Sequence, residues 1–366
     1  MSKPLKAIGL MSGTSLDGID VAVLVTDGET VESRGPAMTV PYSDEHRNLL
    51  RRAIIDAEKL YDRTVRSGAL LRAERDSTLQ HIEAVKTYVA KYDIDLKSVD
   101  VVGYHGQTVL HRPDKALTVQ LGHGDVLAQT LGRPVVFDMR GNDMLHGGQG
   151  APLVPAYHRA LVANLRQKPV AMVNIGGVAN VTWIDEHGEL LAFDTGPGNA
   201  LIDDWMKTHT GTDRDEGGSL GLVGCVDEAS VAQFMGDSYF ESQAPKSLDR
   251  NSFSGIDLQG LSLADGAATL VAVTARSIAL SQKTMPAPPK QWIICGGGRH
   301  NRAIMRALEN LLGNVQKAEN VGLNGDAVEA EAWAFLAVRS LLGLPLTYPG
   351  TTGVREAVTG GVLVMP

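Results

Sequence analysis

The run Phe193-Asp194-Thr195-Gly196-Pro197-Gly198-Asn199 puts a carboxylate at the end of an apolar stretch and a glycine-rich turn directly after it. An aspartate at a strand end can reach a bound substrate and take a proton, and N–H groups at the start of the following helix can face an anion. A base beside an anion site suits a transfer reaction, with Asp194 as the base and Gly196 and Gly198 lining the anion site. A carboxylate in that place can equally cap its own turn.

A second polar turn, Ser12-Gly13-Thr14-Ser15-Leu16-Asp17-Gly18-Ile19-Asp20, separates two apolar runs. Gly13 and Gly18 allow close backbone approach, and Thr14 and Ser15 supply hydroxyls. Asp17 and Asp20 would repel a bare triphosphate, so they suit one only with a cation between, for which Mg²⁺ held through carboxylate and water is the natural choice. Asp-Gly is also a strong hairpin signal, and a solvated hairpin is the competing reading. Gly296-Gly297-Gly298 follows Ile293-Ile294-Cys295 and leaves a surface without side chains, suited to a planar base or to helix packing. Gly176-Gly177 forms a further turn between apolar runs.

Neither GxxxxGK[ST] nor a strand-following GxGxxG with an acidic residue about twenty positions on occurs, so the usual mononucleotide and dinucleotide loops are poor readings. Several glycine turns at strand ends remain, and such turns can grip phosphate from two sides. His105, His111, His123, His146 and His158 lack metal-ligand spacing; His105, at a strand end, is the one expected to touch substrate. Glu329 and Glu331 open an apolar helix, where one can face a metal-bound water or both can be solvated.

These turns need strands and helices behind them. At 366 residues the chain is long enough for two lobes. Strands are predicted over 6–11, 19–26, 31–40, 100–104, 117–121 and 134–138, with helices over 43–57, where Ser43 is the N-cap, 61–92 and near 125–130. A helix over 152–164 is expected to cross to a second lobe. That lobe repeats strand, glycine turn, strand over 169–184, then runs 190–194 into a helix over 200–208, and 291–295 into a helix over 301–312. A buried helix over 326–342 follows, and the tail 353–366 is expected to return to the first lobe. The reading is an α/β chain of duplicated lobes, 1–155 plus 326–366 and 156–325, rather than one doubly wound sheet.

The net charge of −8 argues against nucleic acid or an anionic membrane as partner, and aromatics at 5% leave few platforms for stacked bases. No stretch is expected to approach the ~20 apolar residues of a membrane span. Cys225 and Cys295 fit no metal or redox spacing, and the N-terminus has no signal-peptide run, so a cytoplasmic place is expected.

The motifs IGLMSGTSLDGIDVA (8–22), HGQT (105–108), GGQGAPLVPAYH (147–158), NIGGVANV (174–181), FDTGPGN (193–199) and CGGGRHN (295–301) occur in one order across almost the whole chain. Together they resemble the anhydro-N-acetylmuramic acid kinase family of the actin/hexokinase/Hsp70 superfamily. The resemblance implies a two-lobed, actin/hexokinase-like (ribonuclease H-like) α/β fold, with duplicated mixed sheets, flanking helices and a central cleft holding ATP. It implies recycling of peptidoglycan fragments by ATP-dependent, hydrolytic opening of a small-molecule anhydro amino sugar with phosphorylation of O6. Gly13, Thr14, Ser15, Leu16, Asp17, Gly18, Ile19 and Asp20 become the phosphate site, with Mg²⁺ near Asp17 and Asp20. Gly176, Gly177, Gly196, Gly198, Gly296, Gly297 and Gly298 become further nucleotide contacts. Asp194 becomes the base, and Glu329 matches a glutamate near metal and phosphates. His105, Gln107, Gln149 and Asn174 are the expected sugar contacts, and Arg140, Arg214 and Arg299 are candidate donors to the sugar's lactyl carboxylate. A homodimer is left open. One departure is PKSLDRNSF at 245–253, where a KSTGRE-like segment is common in the family.

Overall fold

Runs bounded by glycine and polar turns form the strands Leu5–Ser12 (β1), Gly18–Thr26 (β2), Val31–Pro41 (β3), Val101–Arg112 (β4), Leu117–Leu121 (β5) and Val135–Phe137 (β6). The computed structural model describes residues 3–13, 15–248 and 255–366. It divides the chain into two compact units, Met1–Ala163 with Ala327–Pro366, and Asn164–Asp326. In the first unit β1, β2 and β3 form an antiparallel meander, β4 and β6 add in parallel on the other side of β1, and β5 pairs with β4.

The second unit repeats this order. Val170–Ile175 (β7), Val178–Ile184 (β8) and Leu190–Pro197 (β9) form the meander, and Gln291–Cys295 (β10) and Val315–Lys317 (β11) add in parallel beyond β7. The duplication read from the glycine hairpins is therefore present as two mixed sheets with the same strand order, β3-β2-β1-β4-β6 and β9-β8-β7-β10-β11. The tail returns as Val362–Val364 (β12), antiparallel to β6.

The two faces of the first sheet bury different things. Ile8, Leu10, Val102 and Tyr104 join Leu50, Ala53, Val85 and Tyr88 from the helices Asp44–Ala57 and Leu70–Lys91 in one core. On the opposite face Gly9 and Gly103 stand directly across from each other in β1 and β4. A Cβ on Gly9 would fall 1.8 Å from the Ala330 carbonyl oxygen, and one on Gly103 2.0 Å from that of Trp333. These two glycines let the helix Val328–Leu341 lie against the sheet, backbone to backbone, through Ala330, Ala334 and Ala337.

Several sequence expectations shift. The helix expected over 61–92 begins only at Leu70, after Gly68 in a left-handed conformation (φ 56°). The strand expected to end at Tyr104 runs on to Arg112, so His105–Thr108 lies within β4. The helix expected over 152–164 spans Pro155–Leu161, inside the first unit. The expectation that no stretch resembles a membrane span is corrected. Leu263–Thr284 is long and apolar enough by composition, with a mean hydropathy of 1.4. In the structure Leu270, Val271, Ala275 and Ile278 of this segment are buried in the second unit's core with Val173, Phe193 and Ile294.

Candidate active site

In the first unit, the turn Ser12–Asp20 is held from behind by buried polar side chains. Ser12 Oγ donates to Gln107 Oε1 at 2.5 Å and lies 2.6 Å from Tyr42 Oη, and Gln107 Nε2 donates to the Gly13 carbonyl oxygen at 3.2 Å. Leu16, buried in a left-handed conformation (φ 57°), turns the chain, and Arg47 Nε donates to its carbonyl oxygen. Among the described residues the N–H groups of Ser15 and Asp17 have no protein acceptor, as an anion site requires. Thr14 lies outside the described residues. Gly18 serves packing: a Cβ there would meet the Val40 carbonyl oxygen of β3 at 2.4 Å. Gly13 has nothing nearer than 3.5 Å. Ile19 is core.

Asp17 Oδ1 accepts from the Ser15 hydroxyl at 2.7 Å and the Gly18 N–H at 3.1 Å, and Asp20 Oδ1 accepts from the Thr39 hydroxyl at 2.5 Å. Among the described residues no three His, Cys, Asp or Glu side chains converge to enclose a metal. Open carboxylates of this kind, one exposed and one half-buried, fit an Mg²⁺ ion held mainly by phosphate and water rather than a closed protein cage.

The close seat of Val328–Leu341 brings its N-terminal turn, with half-buried Glu329, to the same sheet. Glu331 points the other way: it is buried, and Tyr157 Oη donates to its Oε2 at 2.6 Å. That settles which of the two glutamates is committed to the core.

His105 is buried, with its Nδ1 facing the Ser12 carbonyl oxygen at 3.1 Å and its Nε2 accepting from Arg140 Nη2 at 3.2 Å. Burial first, and then the Arg140 charge, hold its pKa well below the usual range, so the ring is neutral with its proton on Nδ1. Burial lowers Arg140 to about 10, against the pull of Glu329 and Asp143, so it stays cationic at neutral pH. Arg140 Nη1 donates to the Gly150 carbonyl oxygen at 2.7 Å, and Asp143 Oδ2 accepts from the Gly150 N–H at 2.6 Å. The backbone N–H of Gln149 donates to Thr352. The structure thus gives His105 and Gln107 hydrogen bonds around the turn and ties His105 to Arg140, whose positive charge Glu329 and Asp143 favour.

In the second unit three glycine turns far apart in sequence come together. Gly198 N–H donates to the Gly177 carbonyl oxygen, Asn199 N–H to that of Gly176, and Asn199 Nδ2 to those of Ile175 and Gly176. A Cβ on Gly198 would meet the Gly176 oxygen at 2.3 Å. One on Gly296 would meet Asn174 Oδ1 at 2.3 Å, and one on Gly298 the Ile175 side chain at 2.3 Å. Asn174 therefore sits in the glycine cluster. Among the described residues the N–H groups of Gly177, Gly297 and Gly298 have no protein acceptor. Gly196 does something else: at φ 154° it packs on Ser277 of the helix Leu263–Leu280.

Asp194 lies in β9 where the register shifts: Asn180 pairs with Asp194 and Ala179 with Gly196, leaving Thr195 as a bulge. Bulges re-aim side chains and gather next to active sites. Asp194 Oδ2 accepts from the Leu248 N–H at 2.7 Å, its N–H donates to the Lys246 carbonyl oxygen at 2.9 Å, and Tyr239 Oη donates to its carbonyl oxygen at 2.5 Å. Burial pushes the carboxyl up to about 7, against the lowering effect of the Leu248 N–H. A half-buried carboxyl poised near neutrality is the state a general base needs.

Arg299 and Arg214 are spoken for, Arg299 by Glu319 and Asp326 and Arg214 by Glu216. Sequence reading missed Tyr42, Asp143, Tyr239, Lys246 and Leu248. Asp143 and Lys246 adjoin motifs, at GNDMLHGGQG and in the divergent 245–253 segment. No local signal marks Tyr42 or Tyr239. Residues 249–253 of that segment lie outside the described residues.

A family model described as anhydro-N-acetylmuramic acid kinase matches residues 5–366. A protein of that name from Agrobacterium fabrum is 52% identical over 371 residues, covering 100% of both chains. Its namesake from Rhodopseudomonas palustris is 50% identical over 365 residues, covering 99% of this chain and 100% of its own. Among solved structures, the activator of 2-hydroxyisocaproyl-CoA dehydratase from Clostridium difficile with bound ADPNP aligns with a TM-score of 0.47 at 12% identity, covering 93% of this chain and 96% of its own. A ROK family glucokinase from Streptomyces griseus in complex with glucose and AMPPNP aligns at 0.40 and 15%, covering 91% and 99%.

Proposed function

This chain belongs to the anhydro-N-acetylmuramic acid kinase family, and on that premise we propose that it uses ATP to turn 1,6-anhydro-N-acetylmuramic acid into N-acetylmuramic acid 6-phosphate and ADP. The reaction belongs to the recycling of peptidoglycan fragments and takes place in the cytoplasm, where ATP is.

The substrate's C1 is bridged to O6 within the sugar. Asp194 takes a proton from water as the water oxygen bonds to C1. The C1–O6 bond breaks, O6 takes the γ-phosphoryl group, and the bond from that phosphorus to the ADP oxygen breaks. An inverting glycosidase needs a carboxylate base and a carboxylic acid for the leaving oxygen. In this scheme the phosphoryl group takes the place of the acid, so one carboxylate base is enough.

The observation that carries this reading is the carboxyl of Asp194, raised to about 7 and aimed by a bulge in β9. A base contributes ~10²–10⁴-fold, and the remainder comes from alignment and from stabilising charge on the phosphates. The N–H groups of Ser15, Asp17, Gly177, Gly297 and Gly298 and the guanidinium of Arg140 are the chain's means for the latter. Asp17, Asp20 and Glu329 would meet an Mg²⁺ ion, which when bound neutralises phosphate charge.

ADP release tests the reading. With 1,6-anhydro-N-acetylmuramic acid, each ADP formed is matched by one new reducing end and one O6 phosphate. ADP release with reducing N-acetyl sugars but not with the anhydro sugar would mark a plain hydroxyl kinase instead.

A further inference from the structure

Lys246 is fixed beside the base. Its carbonyl oxygen accepts the Asp194 N–H at 2.9 Å, and its side chain folds back so that Nζ donates to the Tyr239 carbonyl oxygen at 2.8 Å. The ammonium lies 4.3 Å from the centre of the Tyr239 ring and 5.9 Å from that of Phe193, the residue before Asp194. Tyr239 in turn bonds the Asp194 carbonyl oxygen. Two aromatic faces and one carbonyl therefore hold the ammonium, and a backbone hydrogen bond ties its residue to Asp194.

Among the described residues the cation has no opposite charge beside it. Lys246 is half-buried, and no carboxylate among the described residues forms an ion pair with it. Burial alone lowers its pKa; no acidic neighbour raises it. Taking an ammonium partly out of water without a counter-charge is costly, and ring faces and a single carbonyl offset only part of that cost. The arrangement makes sense when a bound ligand brings the negative charge.

Two anions come within the proposed reaction, the phosphates of ATP and the lactyl carboxylate of the sugar. The phosphates have their own donors in the glycine turns and in the turn Gly13–Asp20. Lys246 is tied to Asp194, the residue that addresses the sugar. Resting on the functional reading above, we infer that Lys246 pairs with the lactyl carboxylate of the anhydro sugar and so sets the preference for an acidic amino sugar over a neutral one.

Comparing two sugars tests this. 1,6-anhydro-N-acetylmuramic acid carries the lactyl group, and 1,6-anhydro-N-acetylglucosamine lacks it. The readout is the ratio of their kcat/KM values. The wild-type ratio is expected at about tenfold to hundredfold, the range of a charge-assisted hydrogen bond. Lys246→Met should bring the ratio close to one, while Lys246→Arg, which keeps the charge, should retain most of it. An equal loss on both sugars, the pattern of a phosphate contact or a structural prop, overturns the assignment. So does a wild-type ratio of one, which decides the matter without a variant should Lys246→Met fail to fold. No ADP release with either sugar is a failure of the functional reading itself.

Discussion

Arg140 Nη2 donates to Nε2 of His105 at 3.2 Å, and Nδ1 of the same ring faces the Ser12 carbonyl oxygen at 3.1 Å. A neutral imidazole thus links the end of β1 to a buried guanidinium, and its tautomer is set by the bond to Ser12. His105→Ala should lower kcat/KM about tenfold to hundredfold by freeing Arg140, and Arg140→Met should cost at least as much. Because the two act as a unit, the double variant should be little worse than Arg140→Met alone. A full double-mutant cycle of kcat/KM checks this; additive losses would mean the two residues act independently.

Asp194→Asn should lower kcat by about 10²–10⁴-fold and leave ATP affinity nearly intact, read by steady-state kinetics and by nucleotide titration. In the wild type the ionised carboxyl is the active form. With its pKa at about 7, kcat/KM should fall tenfold per pH unit well below that value and level off above it. A limb breaking near 4 would place the base elsewhere.

The same shift has a stability consequence opposite to that of most carboxylates. The folded pKa of about 7 stands above the ordinary aspartate value of 3.8, so the folded state binds the proton more tightly. The stabilising contribution is complete below about 4 and lost as pH rises through about 7. Asp194→Asn removes a charge that the fold tolerates poorly at high pH. The variant's Tm should exceed the wild type's at pH 8, with the gap closing as pH falls toward 4; thermal melts across that range check it.

The sequence shows both meanders because each rests on a glycine hairpin between short apolar runs, at Gly13–Gly18 and Gly176–Gly177. The strand that carries Asp194 and the three glycine turns of the second unit are also legible as elements, because turn chemistry is local. What local reading could not reach is which glycine serves a ligand and which serves packing. Gly18 meets β3 and Gly196 meets Ser277, contacts set by residues 22 and 81 positions away. His105 read as a sugar contact because its strand seemed to end at Tyr104; the strand continues, and the side chains of His105 and Gln107 turn to Ser12 and its neighbours. Lys246 and Tyr239 acquire meaning only when their loop folds onto β9.

Gly9 and Gly13 provide a paired test of packing against ligand approach. Gly9→Ala puts a methyl group 1.8 Å from a helix carbonyl oxygen that cannot move without shifting Val328–Leu341. It should destabilise by about 3 kcal/mol or more and lower Tm accordingly. Gly13→Ala meets nothing nearer than 3.5 Å, so Tm should hardly change while KM for ATP rises about tenfold. A large Tm loss in Gly13→Ala with unaltered KM for ATP would make that turn structural.

Arg299 is 1% exposed and fully engaged. Nη1 donates to the Gly296 carbonyl oxygen at 2.9 Å, Nε pairs with Glu319 at 2.8 Å and Nη2 with Asp326 at 2.7 Å. A Cβ on Gly325 would fall 2.4 Å from Nε, so that glycine makes room for the guanidinium. Arg299 is therefore an anchor for the turn Gly296–His300 rather than a donor to the sugar. Removing it leaves two carboxylates whose side chains are 45% and 67% exposed and can return to water, so the stability cost of Arg299→Met should stay near 1–2 kcal/mol. The larger effect should fall on the turn, raising KM for ATP several-fold while kcat at saturating ATP and KM for the sugar change little. A rise confined to the sugar's KM would return Arg299 to the sugar site and refute the anchor.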